Sequence, residues 1–113
     1  MAPLLLLVIV VLAPSVVRTN GAGRIARAIA AIRRALQRGY RPSVVRMYDE
    51  VATQRAFAPV VGEDLSGIYT VFAFEGDAEA ARLEERHTIA LAQVEGAEVL
   101  DPALGKRWWD RRY

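Results

Sequence analysis

Apolar residues recur along this chain with two different periods. From about residue 22 to 38 they fall at Ile25, Ala28, Ile29, Ile32 and Leu36, which is one face of a helix. Arg27, Arg34 and Arg38 take the opposite side, and Gly39 is a natural stop. Pro42 biases Arg41 to an extended backbone, and Val44 and Val45 then favour a short strand over 43–48. Asp49 can cap a second helix over 50–57, which Pro59 closes, and "VVGEDLSG" follows as a loop. Period two returns in "IYTVFAFE", 68–75, where Ile68, Thr70, Phe72 and Phe74 oppose Tyr69, Val71, Ala73 and Glu75. Both sides are mostly apolar, so this strand is expected at the centre of a sheet. Asp77 caps a third helix, 78–94, with Ala80, Leu83, His87, Ala90, Leu91 and Val94 as its expected buried stripe. Gly96 stops it, "AEVLD" (97–101) can form one more short strand, and Pro102 can start a last helical turn.

The first residues follow neither period. Leu4 to Leu12 is an unbroken apolar run of nine residues. As a helix it rises only about 14 Å, too short for a bilayer core of about 30 Å. Its β-branched residues, Val8 to Val11, suit a buried strand. A secretory signal has an apolar core of this length but also a positive n-region, and the first base here is Arg18. Strand, signal-like segment and membrane-associated segment therefore stay open, and the pattern places a division at 20/21. The order strand, helix, strand with helix, strand, helix, strand predicts an α+β fold: a small sheet with helices on one face, ferredoxin-like in its connections.

Charge adds an asymmetry. Residues 1–46 carry eight arginines and no acid, whereas residues 47–113 carry all 13 acids against seven bases. Such a split can signal contact with a membrane or nucleic acid. No nucleic-acid motif accompanies it, so no nucleic-acid partner is expected, and two surfaces of one domain are the plainer explanation. There is no cysteine, which removes disulfides, thiolate metal sites and a cysteine nucleophile. A cytoplasmic location fits, with export left open by the signal-like start.

Candidate chemistry is sparse. "NGAGRIA" sets Gly21 and Gly23 between an apolar run and a helix, but it lacks the third glycine of a dinucleotide loop and the acid that should follow. A turn before a helix is the simpler account. His87 is the single histidine and lies on the apolar stripe, which favours a packed structural role and leaves no basis for a metal site. Trp108 and Trp109 must point in different directions; one is expected in the core and the other on a partner. Stacking on nucleic acid has only the neighbouring Lys106, Arg107, Arg111 and Arg112 in its favour. Arg46, leaving the short strand 43–48, can grip a carboxylate or phosphate with its planar fork, with Tyr48 and Asp49 to tune or orient it. An ion pair with Asp49 or Glu50 is the plainer alternative.

Three blocks in order, "RRALQRGYRPSVVRMYDEVAT", "YTVFAFEGDAEA" and "PALGKRWWDRRY", resemble the C-terminal cap region of FAD-linked oxidases of the vanillyl-alcohol-oxidase superfamily. The nearest branch is that of the alkylglycerone-phosphate synthase-like and D-lactate or glycolate dehydrogenase-like flavoproteins. The resemblance covers roughly residues 28–113. It implies a substrate domain lying over a flavin, with FAD held in the full-length parent by an upstream domain. It also implies that the arginine of the family's P-x-x-x-R-x-x-D segment, here Arg46, helps hold a small anionic substrate (a 2-hydroxy acid or a glycerone-phosphate-like molecule). Residues 21–113 would be a partial cap, inactive alone, and residues 1–20 foreign to it. The family's C-terminal tyrosine and histidine segments would lie beyond Tyr113. The alternative from another class is a small membrane-peripheral or interaction protein that uses the apolar N-terminus, residues 4–17, and the basic helix.

Overall fold

The computed structural model describes residues 10–11 and 14–112. Most of the apolar run Leu4–Leu12 lies outside them; Val10 and Val11 form β1 and pair antiparallel with β5, Glu75–Gly76.

The main sheet has four antiparallel strands: β2 (Ser15–Thr19), β3 (Val44–Tyr48), β4 (Ile68–Ala73) and β6 (Glu98–Val99), in the order β3-β4-β2-β6. β4 is central, as its two apolar sides require, and all six of its residues are buried. The helix α1 (Arg24–Gln37) carries the chain from β2 to β3, with β4 lying between them, and α4 (Ala78–Val94) carries it from β4 to β6, with β2 lying between them. Two interleaved split β-α-β units of this kind are the ferredoxin-like arrangement. β2 falls before the division placed at 20/21, yet it is an inner strand paired with both β4 and β6. Residues 15–19 thus belong to the same sheet as the rest.

Strand alternation gives the sheet two unlike sides. On one, Val17, Phe72 and Phe74 pack with Ala31 of α1 and Ala81 and Ala92 of α4. The α1 stripe differs from the expected one. Ala28, Ala31 and Ala35 face inward, while Ile25, Ile29 and Leu36 are 50%, 40% and 53% exposed. The alanines recur at helical spacing just as the isoleucines do, and their small side chains let the helix lie close over two phenylalanines. In α4 the buried set is Ala81, Thr88, Leu91 and Ala92. Of the expected stripe only Leu91 faces the core; Ala80, Leu83, His87, Ala90 and Val94 are exposed, a rotation of about one residue.

On the other side Val16, Tyr48, Tyr69 and Val71 pack with Phe57, Val61, Leu104 and Trp108. These come from shorter helices: α2 (Glu50–Ala52), a wide π-helical turn Thr53–Phe57, α3 (Ala58–Val61) and α5 (Pro102–Arg111). The sequence pattern ends a helix before Pro59, but here the helical path runs on to Val61. Proline has no N–H for the carbonyl four residues back, and the wider turn, in which the Ala58 N–H reaches the Thr53 carbonyl, takes up the misfit. Gly62, at φ +74°, then ends the helix. α5 lies so close to the start of β2 that a methyl on Gly105 would stand 1.8 Å from the Pro14 carbonyl oxygen.

Candidate functional site

The site grows from the end of β3. Asp49, the first residue after the strand, accepts a hydrogen bond from the Ala52 N–H at 2.8 Å and so caps α2. The Thr53 hydroxyl donates to the Gly67 carbonyl at 2.9 Å, fixing the helical path to the entry of β4. The chain therefore folds back over the aromatic side of the sheet. Ala52, Ala56 and Val60, each four residues apart, come to line a cavity of about 360 Å³ whose β3 wall is Arg46, Met47 and Tyr48. α5 completes it with Trp108 and Arg112, again four residues apart.

Trp108 is 2% exposed, and its Nε1–H donates to the Tyr48 hydroxyl oxygen at 2.8 Å. Tyr48 also packs on Phe57, with ring centroids 4.9 Å apart, and Phe57 on Tyr69 at 5.1 Å. Offset aromatic contacts of this kind add about 0.5–1.5 kcal/mol each beyond area burial. The Arg112 guanidinium lies 3.7 Å from the centroid of Trp109 and 5.5 Å from that of Trp108. It also donates to the Trp109 carbonyl.

Arg46 is exposed, opposite Val71 in the sheet register, and forms no ion pair with any described residue. The two acids expected to hold it are engaged elsewhere. Asp49 caps α2, and Glu50 pairs with Arg24 at the start of α1. No aspartate or glutamate is among the described residues that line the cavity. The described wall thus sets the Arg46 guanidinium beside the Tyr48 hydroxyl, over an apolar floor of Ala52, Ala56 and Val60.

Tyr48 stands in the same wall as Arg46, buried and tied to α5. Sequence reasoning did not bring Trp108 and Arg112 to this site. Their spacing of four on a helix was the available signal; what they would face depended on where α5 docks. The two tryptophans do divide: Trp108 is core, and Trp109, half-buried, has Arg112 over its ring. His87 is not packed inside. It is exposed, with its Nδ1 2.6 Å from the Tyr40 hydroxyl and the two rings edge to face. The rotation of α4 by about one residue, which puts Thr88 inside, leaves it outside.

The arginines of α1 are largely engaged with the body of the fold. Arg24 pairs with Glu50, Arg27 donates to the Asn20 carbonyl, and Arg34 stands 3.1 Å from Glu95. The face that a membrane-peripheral reading would use is accordingly part of the fold's own ion pairing. Among the described residues no helix is long and apolar enough to cross a membrane, and no group of three His, Cys, Asp or Glu could hold a metal ion. The Asn20–Gly23 turn opens onto a shallow depression lined by Gly21, Gly23, Arg24, Ile25, Ala26 and Ile29. Its walls are mainly apolar and its one arginine is paired, which does not fit a pyrophosphate.

Residues 16–113 match the family described as FAD linked oxidases, C-terminal domain. No curated protein and no solved structure matches the chain. The matched span begins at β2, earlier than the motif blocks alone reach, and takes in every strand of the main sheet.

Proposed function

Because this chain belongs to the C-terminal domain family of FAD-linked oxidases, we propose that it is part of the substrate-covering domain of an FAD-dependent oxidoreductase or transferase. Its substrate is a small anion of the 2-hydroxy acid or glycerone-phosphate type, and the chain is inactive alone. The observation that carries this reading is Arg46, exposed, outside every ion pair among the described residues, and set in the wall of a small cavity beside Tyr48. Arg46 takes the anion with its planar fork. Tyr48, held from behind by the Trp108 indole, fixes one side of the cavity and keeps a hydroxyl proton to donate. Ala52, Ala56 and Val60 form an apolar floor beneath it. The flavin belongs to the rest of the enzyme and supplies the redox chemistry; the described residues supply binding and orientation. A cytoplasmic setting accords with the cysteine-free sequence.

The test is Arg46→Ala in the intact flavoenzyme. Turnover should fall by at least about a hundredfold, as loss of a charged substrate contact does, with the flavin content unchanged. Undiminished turnover would reduce Arg46 to a surface residue of an edge strand. Purification of this chain with stoichiometric, tightly bound FAD would overturn its inactivity alone.

A further inference from the structure

We propose that Trp108 is a positioning residue: its indole fixes the polarity of the Tyr48 hydroxyl, so that the cavity reads a hydrogen-bond acceptor on the ligand beside the anionic group that Arg46 holds. This rests on the reading of the cavity as the substrate site.

The polarity follows from which groups can donate. An indole N–H donates and cannot accept, so in the bond between Trp108 and Tyr48, at 2.8 Å, the phenol oxygen is the acceptor. The single proton of that phenol stays on Tyr48, and it is donated to no described residue. Trp108 is 2% exposed and Tyr48 8%, yet both line the cavity. A buried hydroxyl ordinarily finds an acceptor. Here the cavity is where a ligand can bring one. A partner that accepted from Tyr48 would have reversed the preference, leaving the phenol oxygen to receive a ligand's N–H or O–H.

Packing holds the pair before any ligand arrives. Tyr48 lies opposite Tyr69 in the sheet register and against Phe57, with ring centroids 4.9 Å apart. Trp108 belongs to the same buried cluster, on a helix that Gly105 brings close to Pro14. A donor fixed in this way loses little freedom on binding. Accepting the indole proton also polarises the phenol and strengthens the bond it can donate. Arg46 and Tyr48, two residues apart on β3, project to the same side of the sheet. They stand about 6.6 Å apart along the strand, farther than one carboxylate spans. The acceptor is therefore a ligand oxygen outside the anionic group.

The experiment titrates the purified chain with lactate and with propionate, which lacks the hydroxyl oxygen, while following the indole N–H resonance of Trp108. Lactate should bind at least about tenfold more tightly, the scale of one hydrogen bond in a buried site. Tyr48→Phe, which keeps the ring, should abolish that preference. Trp108→Phe, which keeps an aromatic side chain and removes the N–H, should lose most of it by weakening lactate and not propionate, a split that loss of packing alone would not produce. In the Tyr48→Phe background, Trp108→Phe should leave the ratio of the two affinities unchanged. Should Trp108→Phe not fold, the unaltered chain answers: lactate should shift the indole resonance and propionate should not, because only lactate engages the oxygen to which the indole is bonded. Equal affinities, equal indole shifts, or a preference that survives Trp108→Phe overturn the role of Trp108 and leave the Arg46 anion site standing. Failure of both ligands to bind, or binding that Arg46→Gln does not weaken, overturns the substrate site itself, and the role of Trp108 with it.

Discussion

The two sides of the sheet are built from different materials. The side under α1 and α4 is phenylalanine against alanine, with Ile25, Ile29 and Leu36 of α1 turned outward and Ile32 packed at its edge. The side under α2, α3 and α5 is tyrosine, phenylalanine and tryptophan against one another, with two arginines at its margin. The first side achieves close approach with small residues and carries no polar handle in its core cluster. The second uses rings that bring hydroxyl and indole groups with them, and these position the cavity wall. The contrast is one of tolerance: a helix that rests on alanines can be replaced by any helix that fits, whereas a tyrosine held by a tryptophan is tied to one geometry.

That contrast can be broken from either side, and the largest effect is expected on the aromatic one. Alanine in place of a helical glycine ordinarily stabilises by about 1 kcal/mol. Gly105→Ala should instead destabilise by about 3 kcal/mol or more, because its methyl meets backbone and not a yielding side chain. Chemical denaturation measures this, and loss of the Trp108 indole signal would show that α5 has moved. On the alanine side, Ala31→Leu should lose roughly 1–3 kcal/mol by overpacking against Phe72 and Phe74. Leu36→Gln, five positions along the same helix, should stay within about 0.5 kcal/mol because Leu36 faces out. Equal effects at the two positions would mean that α1 is rotated from the orientation described here.

The smallest effect concerns Glu85 on α4, whose carboxyl is pushed above its ordinary range by burial, against the opposing pull of the Ser15 hydroxyl and Arg82. With the folded value above the unfolded one, the folded state binds more protons between the two, so stability falls as pH rises through that interval. Glu85→Gln should therefore raise Tm slightly at neutral pH and leave it unchanged below the carboxylate range. A Tm difference that is the same at both pH values would assign the effect to packing.

Much of the fold was legible because its signals were local. The alternation in 68–75 placed β4 at the centre, Asp49 and Asp77 marked two helix starts through their side-chain caps, and Gly39 ended α1. The failures share a cause: a choice between local patterns that only tertiary packing decides. In α1 the expected row Ile25, Ala28, Ile29, Ile32, Leu36 and the row Ala28, Ala31, Ala35 both have helical spacing; of the first, Ala28 and Ile32 reach the core, while Ile25, Ile29 and Leu36 face out. At Pro59 the rule that proline ends a helix gave way to a wider turn over Thr53–Phe57. Of the site, Arg46 and Tyr48 were visible as alternating neighbours on one strand. Arg112 was not, since nothing near it in sequence says which strand α5 will meet.

The hydrogen bond from Trp108 to Tyr48 also sets an order of events during synthesis. Every strand of the sheet but the short edge strand β6 has left the ribosome once Ala73 is out, and the helix that carries the indole follows only after α4 and β6. Until then the Tyr48 hydroxyl, and the aromatic surface around it, face solvent with their partner not yet made. A nascent chain at that stage has a pairing-competent sheet and an uncovered apolar side, the condition in which chains are most open to association. The residues that finish the cavity are thus also those that end this vulnerable interval, so variants that loosen α5 should appear first as poor yield in cells and only afterwards as weak binding in purified protein.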